Sequence, residues 1–330
     1  MFIPPTYQIT KIIASRLAEI EKLKTELDFR PYSSHSLSFK RKASLLKSSL
    51  FSARIEGNKN ILNDLKHSNW RSSNDLDKLE VSNVLTALEF LLGNNWQNNI
   101  SVNDLKVLHK KAMHRIDVGA GVIRSEPSAI YNMAGIAVYV CPLPQEIPIL
   151  IDQLLAYVNG PFEDFIPIKA VLTHHIFEKI HPFLDGNGRT GRLLIHLVLK
   201  KWGYDFKGLA PFEEFIETYR SDYYDLIAVN RQDQTGYVEF MLEAFVWALQ
   251  EGIRSLSEGI EDVKPEDELP LRRAEILRII RDHQVVSFDF IQRRFIRIPP
   301  RTLRYDLMML CKKGFVKKRG VTKGVVYELV

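Results

Sequence analysis

The chain has 330 residues and is 45% hydrophobic, enough to bury sizeable cores, which excludes a disordered chain and points to two or three domains. Forty-five Lys and Arg against 40 Asp and Glu give a net charge of +5, an average too mild to select an anionic partner. The two cysteines, Cys141 and Cys311, exclude a disulfide framework and a cysteine zinc site.

Met1 to Pro5 lacks the basic region and apolar core of a signal peptide, and no apolar run reaches the ~18–20 residues of a membrane span, so a soluble cytoplasmic protein is expected. Residues 8–28 carry Ile12, Leu17, Ile20, Leu23 and Leu27 at helical spacing. The stretch 31–39 reads as turn. A second helix is expected over 41–56, ending at Gly57-Asn58. After a polar stretch, 69–77, helices fit 78–93 and 102–114, the latter capped by Ser101. Gly121, Pro127 and Gly135 punctuate β-type runs that predict a hairpin within 121–142. Helices follow at 147–158, 164–180, 189–203, 211–230 and 235–256.

Residues 257–270 are acidic and contain two prolines, the composition of a linker. Beyond it the charge inverts. Residues 271–330 hold 15 Lys and Arg against 5 Asp and Glu, a net of +10, and residues 1–270 hold 30 against 35, a net of −5. The mild total conceals two unlike parts.

The chemistry concentrates in His181-Pro182-Phe183-Leu184-Asp185-Gly186-Asn187-Gly188-Arg189-Thr190-Gly191-Arg192, set between two apolar helical runs. Glycines beside a helix N-terminus let backbone N–H groups face an anion. Arg189 and Arg192 oppose the helix dipole there and need another reason to be present, such as a polyphosphate. Asp185 offers a carboxylate to Mg²⁺, and His181 is a candidate general base. A dinucleotide fingerprint, Gly186-x-Gly188-x-x-Gly191, is disfavoured because a helix and not a strand precedes it. A plain helical corner, in which Gly and Asn only turn the chain, stays open on these grounds. His174 and His175 are expected to be packed core histidines and not metal ligands.

The run resembles the signature of the Fic family, His-Pro-Phe-x-Asp/Glu-Gly-Asn-Gly-Arg-x-x-Arg, at every fixed position. The resemblance extends over about 100–250, including Gly121 to Arg124 and the Tyr223-Tyr224 helix. It implies a mainly α fold with a β-hairpin flap, and transfer of AMP from ATP, with Mg²⁺, to a hydroxyl of a target protein or of the chain itself. By that resemblance His181 deprotonates the target hydroxyl and Asp185 holds Mg²⁺. Gly186, Asn187 and Gly188 form an anion hole, with Asn187 on the α-phosphate. Arg189 binds the phosphates and Arg192 the γ-phosphate. Ile130, Tyr131, Val138 and Tyr139 belong to the flap, which holds the target segment by strand addition. Val140-Cys141-Pro142-Leu143-Pro144 departs from the consecutive prolines of many relatives there. Tyr223, Tyr224 and Asn230 are candidates for the adenine.

Ser52-Ala53-Arg54-Ile55-Glu56-Gly57-Asn58 resembles the family's inhibitory motif, which implies that Ser52 and Glu56 hold Arg192 away from the γ-phosphate. In some relatives this Glu supports the reverse reaction, removal of AMP. In the tail, helices are expected at 271–282, 288–295 and 300–313, followed by β runs at 315–318 and 325–329. The pattern resembles a winged helix–turn–helix. Arg301, Thr302, Arg304 and Tyr305 would read DNA bases, and Lys317, Lys318, Arg319 and Lys323 would contact phosphates. The expected organisation is an N-terminal helical region (1–98), a catalytic core (99–256), a linker (257–270) and a winged helix (271–330). A DNA-binding regulator whose core senses nucleotide is the alternative, and a homodimer is compatible with either.

Overall fold

The computed structural model describes residues 3–65, 70–131, 137–228, 231–257, 269–296, 298–320 and 325–330, with only the backbone at His35, Ser72, Tyr131, Ala137, Val138 and Leu271. They fall into two compact units, Met1–Glu258 and Gly259–Val330. Residues 258–268, most of the expected linker, lie outside the described residues.

The first unit is helical: α1 (Lys11–Phe29), α2 (Ser34–Ile55), α3 (Leu76–Gly93) and α4 (Val102–Ala112) precede a hairpin of β1 (Ala129–Tyr131) and β2 (Ala137–Val140). Then come α5 (Ile147–Asn159), α6 (Ile166–Ile180), α7 (Asn187–Lys201), α8 (Phe212–Thr218), α9 (Arg220–Ala228) and α10 (Thr235–Ser257). Ser101 caps α4 in a reciprocal box with Asp104, each side chain meeting the other's backbone N–H. Two sequence expectations shift. The second helix starts at Ser34 and not at 41, because the Ser33 hydroxyl accepts the Ser36 N–H at 3.0 Å and caps a stretch whose serines read as turn. The expected helix 211–230 is two, α8 and α9, broken at Tyr219, whose backbone leaves the helical region (φ −110°, ψ 41°).

One apolar core joins Ile13 and Ile20 of α1 to Leu242 and Phe245 of α10, so the N-terminal helices share one interior with the helices that follow the hairpin. At its centre α6 is buried on every face from Pro167 to Ile180. It forms an antiparallel pair with α7, and the turn between them carries the signature run. Among the described residues no helix is long and apolar enough to cross a membrane.

The second unit runs α11 (Leu271–His283), β3 (Val285–Ser287), α12 (Phe288–Arg294), α13 (Pro300–Lys312), β4 (Val316–Arg319) and β5 (Val326–Leu329). Its antiparallel sheet has the order β3-β5-β4. β3 went unread in the sequence because three residues carry no periodicity; pairing with β5 creates it. Ile276, Ile280, Ile291, Leu303, Leu307 and Leu310 form a separate core. Beside it the buried Asp306 carboxylate accepts from Arg272 at 2.5 Å and Arg273 at 2.8 Å. Burial would raise its pKa, but these hydrogen bonds and charges hold it below the usual carboxylate value.

Candidate active site

α6 ends at His181, whose backbone is left-handed (φ 50°, ψ 60°), and Pro182 prevents the helix from resuming. Arg124 fixes this corner. Its Nε donates to the His181 carbonyl at 2.7 Å, its backbone N–H to the Pro182 carbonyl at 2.9 Å, and its Nη2 to the Pro142 carbonyl at 2.6 Å. One side chain thus ties the corner after α6 to the base of the hairpin. The His181 Nδ1 is the buried ring nitrogen and lies 4.0 Å from the Glu178 carboxylate, which leaves Nε2 as the nitrogen facing outward. Burial pushes the imidazole pKa down to about 4, so the ring is neutral at pH 7.

The turn is cross-braced. Gly186 caps α7 with φ +75°, and its N–H donates to Asp185 Oδ1 at 2.6 Å. His109 accepts the Gly121 N–H on Nδ1 at 2.7 Å, so Nε2 carries the proton and donates to the Asp185 carbonyl at 2.8 Å. Its ring stacks on Phe183 with centroids 3.7 Å apart. Asn187 is buried, and both its side-chain polar atoms meet the Phe183 backbone, Oδ1 accepting N–H at 3.0 Å and Nδ2 donating to the carbonyl at 2.8 Å. The Asn187 amide thus closes the turn, and its backbone N–H is the group left for an anion. The first-turn N–H groups of Asn187, Gly188 and Arg189 have no intrahelical acceptor by the geometry of any helix start.

Arg189 and Arg192, one turn apart, are both buried. Arg192 donates from Nε to Ser52 Oγ at 2.9 Å, and from Nη2 to the Ser52 carbonyl and Glu56 Oε1, each at 2.8 Å. Glu56 stands at the C-terminal end of α2 and leans over the start of α7. A Cβ on Gly188 would collide with its Oε1, so only glycine admits the carboxylate there. The helix end carrying Glu56 is itself held from α9, by Tyr224 Oη on the Ile55 carbonyl (3.1 Å) and Arg220 on the Arg54 carbonyl (3.2 Å).

Asp185 keeps its side chain 69% exposed with Oδ2 3.6 Å from Arg189 Nη2. That single outward carboxylate suits Mg²⁺, which is bound through one or two carboxylates together with substrate phosphates. Among the described residues no group of three or more His, Cys, Asp or Glu could hold a metal on its own.

Several sequence candidates fall elsewhere. Tyr223 is buried and its hydroxyl pairs with His174 Nε2 at 2.8 Å, so it offers no face to adenine. Tyr224 is partly exposed. Asn230 lies outside the described residues. His174 and His175 are packed and neutral; burial holds the first well below the usual imidazole pKa and the second at about 3. In the hairpin, Ile130 pairs with Tyr139 and Tyr131 with Ala137 across an irregular register. The Tyr139 hydroxyl donates to the Lys179 carbonyl at 3.1 Å and its ring lies under the Lys179 ammonium at 4.2 Å, so this side chain anchors the hairpin to α6 instead of facing a target. Ile130 is half-buried, and the side chains of Tyr131 and Val138 lie outside the described residues.

The sequence reading assigned no role to His109, Arg124, Glu178 or Glu80. His109 carried one signal, its place on the apolar face of α4 beside Leu105, Leu108 and Ala112. In the second unit Arg301, Arg304, Tyr305, Lys317, Lys318 and Arg319 are exposed and Thr302 is half-buried, while Lys323 lies outside the described residues. Lys317 and Arg319 share Glu328 at 3.1 and 2.7 Å.

Residues 99–199 match the model of the Fic/DOC family. The protein adenylyltransferase Fic of Aedes aegypti is 30% identical over 163 residues, 46% of this chain and 30% of that protein. The protein of the same name from Drosophila willistoni is 28% identical over 160 residues, again 30% of its length. The chain therefore spans about a third of the length of the curated relatives it matches. In fold, it resembles a Fic family protein from Desulfovibrio desulfuricans over 99% of this chain and 98% of that one, with a TM-score of 0.67 at 23% identity. Fic-1 from C. elegans covers 74% of this chain with a TM-score of 0.61 at 21% identity.

Proposed function

We propose that the chain is a Fic family protein and a protein adenylyltransferase, moving AMP from ATP to a Ser, Thr or Tyr hydroxyl of a target protein or of itself, with Mg²⁺, and held off by Glu56. The observation that carries this reading is the corner between α6 and α7. A neutral His181 stands at one side of it, and the N–H groups of α7 with the buried Arg189 and Arg192 stand at the other. A base beside an anion-binding helix start is what phosphoryl-group transfer to a hydroxyl requires.

In that reaction the target hydroxyl oxygen attacks the α-phosphorus and its proton passes to His181 Nε2. The bond from the α-phosphorus to the bridging oxygen breaks, and pyrophosphate leaves. The N–H groups of Asn187, Gly188 and Arg189 meet the developing charge on the phosphoryl oxygens. Mg²⁺ held by Asp185 and the phosphates would neutralise the charge on the leaving group. Arg124 and His109 keep the corner rigid, so the base and the anion hole hold their separation.

Glu56 blocks this arrangement twice. It pairs with the arginine assigned to the γ-phosphate, and its carboxylate covers the helix start at Gly188, where a phosphate would lie. The test is mass spectrometry of cell lysate incubated with ATP and full-length protein carrying Glu56→Gly. The reading requires an AMP mass gain on a defined residue, absent when His181→Ala is added.

For the second unit, we infer a winged-helix fold that binds DNA through α13 and the β4–β5 wing. The exposed Arg301, Arg304, Tyr305 and Lys318 support it, as does the +10 charge of residues 271–330. Retardation of duplex DNA by the full chain at two salt concentrations tests it. Protein–protein contact through this unit is the outcome if no DNA binds.

A further inference from the structure

Arg189 and Arg192 lie on the same buried side of α7, yet only Arg192 meets Glu56. Arg189 is held from another helix. Its Nη1 donates to Glu80 Oε1 on α3 at 3.0 Å, and its Nη2 lies 3.6 Å from Asp185 Oδ2. The other oxygen of the same carboxylate, Glu80 Oε2, accepts from Asn58 Nδ2 at 2.7 Å. Asn58 is fixed in turn: Nδ2 also donates to the Asp77 carbonyl at 2.7 Å, and Oδ1 accepts the Asn60 N–H at 3.0 Å.

Asn58 stands two residues after Glu56. The inhibitory segment therefore reaches both arginines, Arg192 directly and Arg189 through Glu80. The Nε of Arg189 is buried and has no acceptor among the described residues. A buried donor of this kind is normally satisfied, and an oxygen brought by a ligand would satisfy it. Glu80 thus occupies one end of the guanidinium and leaves Nε as a buried donor without an acceptor among the described residues. A carboxylate near a phosphate site repels the ligand, so its contribution there has to be geometric.

We infer that Glu80 is a positioning residue of the nucleotide site, whose carboxylate sets the direction of Arg189 and ties it to Asn58 of the inhibitory segment. For the identity of the ligand the inference rests on the adenylyl-transfer reading.

The experiment measures equilibrium binding of ATP with Mg²⁺ to full-length protein carrying Glu56→Gly, alone and with Glu80→Ala or Glu80→Gln added, with melting curves to verify folding. Glu80→Ala should weaken ATP binding roughly tenfold or more, the scale of a hydrogen bond to a charged group. Glu80→Gln keeps an acceptor oxygen for Arg189 and should restore most of the affinity. If Glu80→Ala leaves binding unchanged or tightens it, or if Gln is as weak as Ala, the positioning role is overturned. Should Glu80→Ala fail to fold, Asn58→Ala removes the donor to Oε2, together with the Asn58 bonds to Asp77 and Asn60, leaves the Glu80–Arg189 contact in place and, with folding verified by melting, should weaken binding about threefold. No change there also overturns the role. A parent that binds ATP but transfers no AMP defeats the adenylyltransferase reading and leaves the Glu80 comparison valid on binding. A parent that binds no ATP defeats both.

Discussion

Glu56 Oε1 accepts from Arg192 Nη2 at 2.8 Å while its carboxylate lies against Gly188, so one side chain both neutralises an arginine and fills the mouth of a helix N-terminus. Arg192 is almost wholly buried, and Glu56 is about one third exposed. A partner that reaches the site from solvent can therefore be displaced without unfolding α7. Glu56→Gly should raise auto-modification with labelled ATP by roughly 5- to 150-fold, the range of a coupling energy of 1–3 kcal/mol. An unchanged rate would remove the brake.

The base should be separable from the brake. In the Glu56→Gly background, His181→Ala is expected to lower the rate of AMP transfer by about 10²–10⁴-fold, the usual contribution of a general base, with ATP binding largely kept. Retained transfer would assign the proton to another group.

The acid limb of transfer should lie low. The neutral form of His181 persists down to about pH 4 in the free chain, so kcat/KM should stay flat on the histidine's account from pH 7 to 5 and fall below. A midpoint near the ordinary imidazole value of about 6.5 would contradict the buried environment of the ring.

Stability should also depend on pH. His181, His174 and His175 all have folded pKa values below the unfolded value near 6.5. Between about pH 6.5 and 4 the unfolded chain binds protons that the folded chain refuses, so stability falls as pH falls. Glu178 has the opposite sign. Burial raises it to about 8, so the folded chain holds a proton that the unfolded chain lacks above about pH 4.5, and stability is lost as pH rises through 8. From these groups the urea midpoint should peak near pH 6.5. Glu178→Gln should flatten the decline between pH 6.5 and 8; an unaltered decline would place its origin elsewhere.

In the second unit, Lys317 and Arg319 share the single carboxylate of Glu328. Replacing it by Glu328→Gln should release both cations, tighten DNA binding and steepen its salt dependence. Lys318→Ala should make the log–log salt slope shallower by about one. DNA affinity indifferent to both changes would point the unit toward a protein partner.

Much of the candidate site was legible in the chain because its residues are contiguous. The run 181–192 places a base, a carboxylate, glycines and two arginines within a few turns of backbone, where spacing alone fixes the neighbours. Ser52 and Glu56, one helical turn apart, were legible for the same reason. The helical periods of α1, α3 to α7 and α10 followed from their apolar spacing. What only the tertiary structure decided are relations across long separations. Arg124 comes to brace His181, His109 to hold the Asp185 carbonyl, and Glu80 to join Asn58 to Arg189. Tertiary packing also buries Tyr223 against His174 and turns Tyr139 toward α6. No local pattern encodes these contacts, because each depends on which helix faces which across the common core. The sequence by itself determined the reactive groups and their order. The packing of α2, α3 and α4 around α7 decided which of those groups are paired, which are buried and neutral, and which remain open to a ligand.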